Sequence, residues 1–200
     1  MNKKLALLIL FLLIALATRL FHFNQPADLV FDEVHFGKFV RAYATTGEHF
    51  FDIHPPLGKL AIAGVANLSG VVIEQDFVQI GQPFEKDELR SLRLFPLLTG
   101  VLLVPLIFLL THELTRSLIG ASAAALMVAF DNALIAQSRF ILLDIPLIFF
   151  GFTALYLFLL HEKAQNQKLR LLLLILAALS FGAGYSIKWT GLAMIVPIAL

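Results

Sequence analysis

Long apolar segments separated by short polar ones fill most of this chain. The apolar runs cover about 5–23, 92–111, 118–137, 146–160 and 170–187, and a further run extends from about 190 to 200. A helix that crosses a bilayer needs about 20 predominantly apolar residues. The pattern therefore predicts an all-α polytopic membrane protein, in which residues 1–200 form part of one transmembrane domain with five complete spans and an unfinished sixth.

The first apolar run has two interpretations. Lys3 and Lys4 precede it, and the Ala-Leu-Ala sequence at 15–17 resembles a signal-peptidase site. A cleaved signal peptide is therefore one interpretation. The apolar character continues as far as Phe23, which favours an uncleaved span that carries Arg19 near its far end.

Residues 24–90 form a long polar segment with ten of the fourteen acidic residues. Four apolar side chains recur there at i, i+3, i+4 and i+7: Phe36, Phe39, Val40 and Tyr43. This spacing predicts a helix that lies on the bilayer, with Asp32 at its N-cap and Thr46-Gly47 as its stop. A second apolar stretch at 57–73 contains too many polar and Gly residues for a span, and it predicts another interfacial helix.

The composition agrees with a lipid-embedded chain. Apolar residues make up 59% of the sequence, with 19 Phe, and the mean hydropathy is +0.86. The net charge is +1, and the basic residues are scattered, which argues against a nucleic-acid partner. Cysteine is absent, so neither disulfide nor thiolate chemistry is available.

The short loops predict the orientation. If the spans alternate, the basic residues of these loops fall on one side: Lys3, Lys4, Arg116, Lys163, Lys168 and Arg170. An excess of Lys and Arg marks the cytoplasmic side. The N-terminus is therefore expected in the cytoplasm, and the 24–90 segment on the outer side.

Charged residues near the span ends gather on that same outer side: Arg19, Arg93, Asp131, Arg139, Asp144 and Lys188. Each charge within a span costs about 2.5–3.5 kcal/mol on insertion scales, so its position is informative. Interfacial snorkelling and an ion pair of Arg139 with Asp131 or Asp144 are the plain explanations. The alternative is a site in which a carboxylate acts as a base towards a hydroxyl and the cations neutralise a phosphate leaving group, as a polyprenyl-phosphate sugar donor would require.

The carboxylates and histidines of the outer segment allow further interpretations. Asp32 can be a helix cap and Glu33 a solvated first-turn charge. His35, His49 and His54 with Asp52 lack the close spacing of a metal site, so no metal is expected. Pro55-Pro56 favours an extended His54, which would point Asp52 and His54 the same way, towards substrate or the Asp32 loop. The prolines can equally form a rigid turn that returns the chain to the membrane.

Five motifs in order resemble those of the protein O-mannosyltransferases, the dolichyl- or polyprenyl-phosphate-mannose:protein mannosyltransferases of the GT-C glycosyltransferase fold. The motifs are FDEVHFG at 31–37, DIHPPLGKL at 52–60, RLF at 93–95, DN with QSRFILLD at 131–144, and KWTG at 188–191. The resemblance covers nearly the whole chain. It implies a large first outer loop carrying interfacial helices.

The resemblance also implies an inverting transfer of mannose from a polyprenyl-phosphate-mannose donor to Ser or Thr hydroxyls of secreted or membrane proteins. Asp32 would be the catalytic base, and Glu33 would share that role or orient the acceptor. The candidates for binding the donor phosphate or substrate are Arg19, Arg93, Arg139, Lys188, His54 and Asp52. No cofactor is expected, since the lipid-linked sugar is a substrate. The site would face the outside of the plasma membrane or the lumen of the endoplasmic reticulum.

Other interpretations remain open. A GT-C relative that transfers another sugar, such as aminoarabinose to lipid A, carries similar Asp-Glu and His-Pro-Pro elements. A transporter would also keep charges in its spans, although near the bilayer midplane. Members of the family have many more spans, so the sequence is expected to be an N-terminal fragment that is inactive alone.

Overall fold

Residues 2–48 and 51–196 are described by a computed structural model, and helices provide nearly all of their regular structure. The α-helices are α1 (Lys3–Leu20), α2 (Glu33–Arg41), α3 (Leu57–Leu68), α4 (Lys86–Thr115), α5 (Leu118–Phe130), α6 (Asn132–Gln137), α7 (Asp144–Lys163) and α8 (Gln167–Tyr185). A π-helical turn (Ala42–Thr46) extends α2, and a 3-10 helix (Trp189–Ile195) follows α8.

Three helices are long and apolar enough to cross a membrane: α4, α7 and α8. Helix α4 has 30 residues and begins six residues before the predicted span at 92. Helix α7 extends past its predicted span at both ends, and α8 begins three residues before its predicted span. The chain is a multi-pass membrane protein. Helix α1 has 18 residues and includes three basic ones, and its crossing of the membrane stays a prediction.

The predicted span at 118–137 is two helices, α5 and α6, which meet at Asp131. The Asp131 backbone is extended, with φ −65° and ψ 117°, and its Oδ1 accepts a hydrogen bond of 2.8 Å from the Leu134 amide. This is the geometry of a side-chain N-cap, which starts a new helix and ends the previous one. Where the sequence predicts a last span from 190, the structure has the 3-10 helix, and residues 197–200 lie outside the described part.

One hydrophobic core joins α1, α4 and α5. Phe11 of α1 packs on Phe108 of α4 with ring centroids 5.3 Å apart. Ala121, Ala125 and Ala129 recur every fourth residue along α5 and are buried. Small side chains at this spacing let membrane helices approach closely, since apolar burial adds little between helices in lipid.

A second core lies under the outer segment, between α2, α3 and the start of α4. Phe77 is fully buried at its centre, beside Gly37 of α2 and edge-on to Phe84. Phe36 and Val40 of the predicted interfacial stripe are buried in this core, so they contact protein where the sequence pattern places lipid. Gly47 has φ +66° and ends the helical region, which confirms the predicted stop.

Helix α3 ends at Leu68, five residues before the predicted end of its apolar stretch. One face of α3 packs inward through Ile62 and Ala66, while Leu60 and Leu68 are exposed. The outer segment closes where residues 27–29 run antiparallel to 82–84, with a hydrogen bond of 2.9 Å from the Leu29 amide to the Gln82 carbonyl. This closure brings the start of the segment back to α4.

Candidate active site

A cleft of about 270 Å³ opens between the start of α2 and the turn before α3. Its lining residues are Asp32, His35, Phe36, Phe39, Phe51, Asp52, Ile53 and His54. Two of the motifs singled out in the sequence, FDEVHFG and DIHPPLGKL, therefore form the two walls of one cavity. A lining that combines carboxylates and imidazoles with aromatic rings suits a ligand that carries both hydroxyl groups and apolar faces.

Asp32 precedes α2, but its side chain does not cap the helix. The backbone of Asp32 has φ −72° and ψ −3°, away from the extended conformation in which a side chain reaches the N2 or N3 amide. Its carbonyl accepts from the His35 and Phe36 amides instead. Within the described residues, the half-buried carboxylate has no hydrogen bond or ion pair. Asp32 thus presents a carboxylate in the cleft with its lone pairs available.

The neighbouring Glu33 is fully buried and paired with Arg93 of α4. Arg93 Nε donates to Glu33 Oε1 at 2.8 Å, and Nη2 donates to Oε2 at 2.7 Å. The same carboxylate accepts from the backbone amides of Val30 at 3.0 Å and Ile141 at 2.9 Å. Glu33 therefore joins the loop before α2, helix α4 and the loop before α7. The structure uses both oxygens of Glu33 in this network, and the role that the resemblance implies for Glu33, sharing the base role or orienting the acceptor, stays a prediction.

Arginines fix the loop that carries the chain from α1 to Asp32. Arg93 Nη1 donates to the Pro26 carbonyl at 2.9 Å, and Nη2 to the Asp28 carbonyl at 3.3 Å. Arg139 donates a hydrogen bond to the His22 carbonyl. Burial lowers the pKa of the Arg139 guanidinium, and the nearby positive charge of Arg93 lowers it further. These contacts hold the backbone immediately before the cleft, so both arginines position Asp32 through the loop.

Arg19 lies apart from the cleft, buried between α1 and the end of α5. Its guanidinium donates to the carbonyls of Ala129 at 3.3 Å and Val128 at 3.1 Å, and to Thr18 Oγ1 at 3.0 Å. The carbonyls at the end of a helix lack intrahelical partners and carry partial negative charge. Arg19 therefore ties α1 to α5. Binding of the donor phosphate by Arg19, Arg93 or Arg139 stays a prediction. Each guanidinium would have to give up hydrogen bonds to the protein in order to bind the phosphate.

Lys188 and Asp144 form an ion pair close to the cleft. The Lys188 Nζ lies 2.8 Å and 3.0 Å from the two carboxylate oxygens of Asp144, and 6.0 Å from the ring centre of Phe36. The sequence considered Arg139 as a partner of Asp144, and the structure gives it Lys188. The charge of Lys188 also reaches His54, whose protonation it disfavours. The Lys188 ammonium thus lies near two residues that line the cleft, Phe36 and His54.

The wall opposite Asp32 is a turn stabilised by a buried lysine. Lys59 of α3 is fully buried, and its Nζ contacts Asp52 Oδ2 and donates to the His54 carbonyl at 3.0 Å. Asp52 Oδ1 accepts from the His54 amide at 2.9 Å, so the carboxylate closes the turn on itself. Pro56 then leads directly into α3.

Lys59 belongs to the DIHPPLGKL motif, but no role for it was predicted from the sequence. The sequence does contain a signal for this ion pair, which is a lysine within an apolar helix seven residues after Asp52.

The end of α8 fixes this turn from outside. The Trp189 Nε1 donates to the Ile53 carbonyl at 2.7 Å, and the Leu57 amide donates to the Ser186 carbonyl at 3.0 Å. A Cβ on Gly58 would lie 2.8 Å from Leu143 Cδ2, so α3 packs closely here and a larger residue would make the Leu143 side chain shift. The Trp189 side chain of the KWTG motif therefore supports the cleft wall through a hydrogen bond to the backbone of Ile53.

The surroundings of the cleft shift the pKa of two side chains. Burial lowers the pKa of His54, with the charges of Lys188 and Lys59 acting in the same direction against Asp52 and Asp144. Burial raises the pKa of Tyr43, to which the charge of Asp52 adds. The Nδ1 of His54 is buried without a hydrogen-bond partner among the described residues. His54 is therefore held as a neutral imidazole with an unused polar atom.

No group of three or more His, Asp or Glu side chains among residues 2–48 and 51–196 is arranged to bind a metal ion. His49, which the sequence considered with His35 and His54, lies outside the described residues.

At the opposite ends of the spans, Glu113 joins Lys163 at 2.6 Å and Arg116 at 3.1 Å. The basic residues of two short loops thus meet at one end of the bundle, as the alternation of the spans predicts.

Comparison with known proteins identifies the family. A family profile described as "Dolichyl-phosphate-mannose-protein mannosyltransferase" matches residues 9–200. Dolichyl-phosphate-mannose--protein mannosyltransferase 4 of Schizosaccharomyces pombe is 37% identical over 160 residues, which are 79% of this chain and 20% of that protein. Dolichyl-phosphate-mannose--protein mannosyltransferase 1 of Saccharomyces cerevisiae is 36% identical over 184 residues, 91% of this chain and 22% of that protein. The chain spans about a fifth of the length of these relatives.

Solved structures show the same fold. The S. cerevisiae protein O-mannosyltransferase Pmt1-Pmt2 complex bound to the sugar donor matches with a TM-score of 0.91 and 34% identity, over 98% of this chain and 27% of that one. An Archaeoglobus fulgidus oligosaccharyltransferase in the apo form matches with a TM-score of 0.74 and 14% identity, over 96% of this chain and 24% of that one, which concerns the fold alone. The predicted GT-C fold is confirmed. Since the profile, the relatives and the structural match all agree with the resemblance of the motifs, the chain belongs to the dolichyl-phosphate-mannose-protein mannosyltransferase family.

Proposed function

We propose that the protein containing this chain transfers mannose from a polyprenyl-phosphate-mannose donor to Ser or Thr hydroxyls of secreted or membrane proteins, and that Asp32 is the base. One observation carries the assignment of the base. Asp32 is half-buried in the cleft without a partner among the described residues, while the adjacent Glu33 is fully engaged. The names of the relatives, and the sugar donor bound to the yeast complex, support the choice of reaction.

The proposed reaction needs one proton transfer and one displacement. The Asp32 carboxylate accepts the proton of the acceptor hydroxyl as its oxygen attacks the anomeric carbon of mannose. The bond from that carbon to the phosphate oxygen breaks, the configuration inverts, and polyprenyl phosphate leaves with the bonding electrons. Lys188 is the proposed partner of the phosphate, because its charge lies at the cleft and a cation stabilises the negative charge that grows on the leaving group. No cofactor takes part.

The proposed site lies on the outer or luminal face, with the N-terminus in the cytoplasm. The cleft and the Lys188–Asp144 pair lie beside the outer ends of the predicted spans. Glu113, Lys163 and Arg116 meet at the other ends, where the positive-inside rule expects the cytoplasm. A donor anchored by its lipid tail would present its phosphate and sugar at the depth of the cleft.

The test is mannosyl transfer to a Ser/Thr peptide by membranes that contain the whole protein. Replacement of Asp32 by Asn keeps the shape of the side chain but removes the base, and it should lower kcat by about 10²–10⁴-fold. Asp87→Asn is the matched control, since Asp87 is exposed in the same outer segment with only a weak contact to Arg90. A near-normal kcat for Asp32→Asn would refute the assignment of the base, and no transfer by the wild-type protein would refute the function.

A further inference from the structure

Lys59 is an unusual residue in its position. Within α3, all of whose residues the structure describes, the other buried positions are Gly58, Ile62, Ala63 and Ala66. A fully buried ammonium group loses its hydration, and replacing a buried ion pair by apolar residues of similar volume often leaves stability unchanged or improves it. Stability alone therefore gives no reason for a lysine there.

The hydrogen-bonding contacts of the Lys59 ammonium within the described residues go to the turn that carries His54. Its Nζ contacts the Asp52 carboxylate and donates to the His54 carbonyl at 3.0 Å, while the ring of Phe39 lies 5.2 Å away. Asp52 in turn accepts from the His54 amide at 2.9 Å. Both backbone polar groups of His54 are therefore held by this one ion pair, which fixes the direction in which the side chain leaves the turn.

The imidazole of His54 lines the cleft with unused hydrogen-bonding capacity. Its ring is 6.1 Å from the Phe36 ring, and its Nδ1 is buried without a partner among the described residues. A neutral imidazole offers one donor and one acceptor, which matches a hydroxyl group, itself both donor and acceptor. The surrounding charges are Lys188, Asp52, Lys59 and Asp144, with Asp32 and His35 in the same cleft lining.

We infer that Lys59 and Asp52 are positioning residues whose buried ion pair orients the imidazole of His54 towards a substrate hydroxyl in the cleft. The inference rests on the proposed function and deepens it. The hydroxyl belongs either to the sugar of the donor or to the acceptor side chain. His54 touches the substrate, whereas Lys59 and Asp52 act only through His54.

The main test is the double variant Asp52→Asn with Lys59→Met in the whole protein. It removes both charges together and keeps an oxygen that can accept from the His54 amide, so no unpaired charge is left buried. We expect its thermal unfolding to stay close to that of the wild type while kcat/KM falls by up to about 10²-fold, because a misplaced contact group loses that much. The exposed Lys86→Met, in the same outer segment, is the matched control.

Non-additivity separates a positioning role from a merely structural one. His54→Gln should lower kcat/KM by a similar factor. Combining His54→Gln with the double variant should lower kcat/KM little further, because both sets of changes remove the same contact between His54 and the substrate hydroxyl. A rise in KM for the donor would place the hydroxyl on the sugar, and a rise in KM for the acceptor peptide would place it on the acceptor. Full additivity of the two losses, or an unchanged kcat/KM in the folded double variant, would overturn the inference.

The pH profile of the single variants provides a second test. The charge of Lys59 disfavours protonation of His54, so Lys59→Met should move the acid limb of kcat/KM to higher pH. Lys59→Arg keeps a positive charge and should restore much of the profile. An acid limb that does not move in folded Lys59→Met would count against the inference even if the rate falls. The proposed function is tested separately. Mannosyl transfer by the wild type and its loss in Asp32→Asn would support the proposed function whether or not the acid limb moves in Lys59→Met.

Discussion

The sharpest structural test concerns Arg93, because its replacement distinguishes a positioning role from binding of a phosphate. Arg93→Met would leave the Glu33 carboxylate fully buried, with the Val30 and Ile141 amides as its only partners in the described part of the chain. Removing one partner of a buried ion pair costs about 3–5 kcal/mol, which is a large part of the 5–15 kcal/mol that stabilises a typical protein. The carbonyls of Pro26 and Asp28 would also lose their donor. We expect a much lower melting temperature in detergent.

Companion variants make this prediction quantitative. Glu33→Gln combined with Arg93→Met removes both charges, so its loss of stability should be less than the sum of the two single losses by about 0.5–3 kcal/mol. Arg93→Lys keeps the charge but loses the two-pronged contact with the carboxylate, and it should rescue only in part. Arg90→Met is the control, because Arg90 is exposed. Its ion pair with Asp87 at 3.5 Å and its hydrogen bond of 3.0 Å to Asn24 Oδ1 should contribute about 1 kcal/mol each, well below the loss for Arg93.

Differential scanning fluorimetry of the purified protein measures these shifts, beside mannosyl transfer at a temperature where all variants are folded. If Arg93→Met melted with the wild type and lost only activity, the positioning role would be refuted. Arg93 would then act on the substrate, as the resemblance of the sequence first suggested.

Two further predictions follow from the glycines and from His54. Gly37→Ala should destabilise the protein by about 1–3 kcal/mol, because its Cβ would lie 2.6 Å from Cγ of the buried Phe77. Gly64→Ala is the control, and it should be neutral or stabilising in the same melting assay because open space surrounds Gly64. Equal melting temperatures of the Gly37→Ala and Gly64→Ala variants would contradict the packing of Phe77 on Gly37. Because the pKa of His54 is lowered in the folded protein, the unfolded chain binds more protons near and below about pH 6.5. The contribution of His54 to the free energy of unfolding should therefore fall as the pH decreases through that region. His54→Gln should remove that part of the pH dependence of unfolding, and an unchanged dependence would contradict the shift.

Much of the outer segment was predictable from local pattern. The stop at Gly47 follows from a left-handed position that glycine adopts without strain. The helical phase of Phe36 and Val40 was also right, but the pattern alone does not say whether an apolar face meets lipid or protein. Asp131 shows a related limit. An aspartate within an apolar run is compatible with a continuous span or with a new helix, and the extended backbone at that residue decided for the helix cap.

The sequence singles out the residues of the candidate site, but their surroundings come only from the structure. Asp32 and Glu33 are adjacent, yet one faces the cleft and the other the core. Asp32 flanks α2 and Glu33 is its first residue, and side chains of consecutive residues at a helix start leave the backbone in different directions. The sequence could place both in the motif, but only the position of Arg93 on α4 decided which of them would be paired.

By itself, the sequence determined that this chain is helical, embedded in a membrane and a member of its family. These properties follow from the length of apolar runs, set by the thickness of the bilayer, and from motifs that are read along the chain. Only the tertiary structure decided the partners of the charges, because Glu33 and Arg93, or Lys188 and Asp144, meet across distant segments. A buried charge is stable only beside its partner, and the fold fixes which charges are buried. Asp32 remains available for chemistry because the described chain gives it no partner.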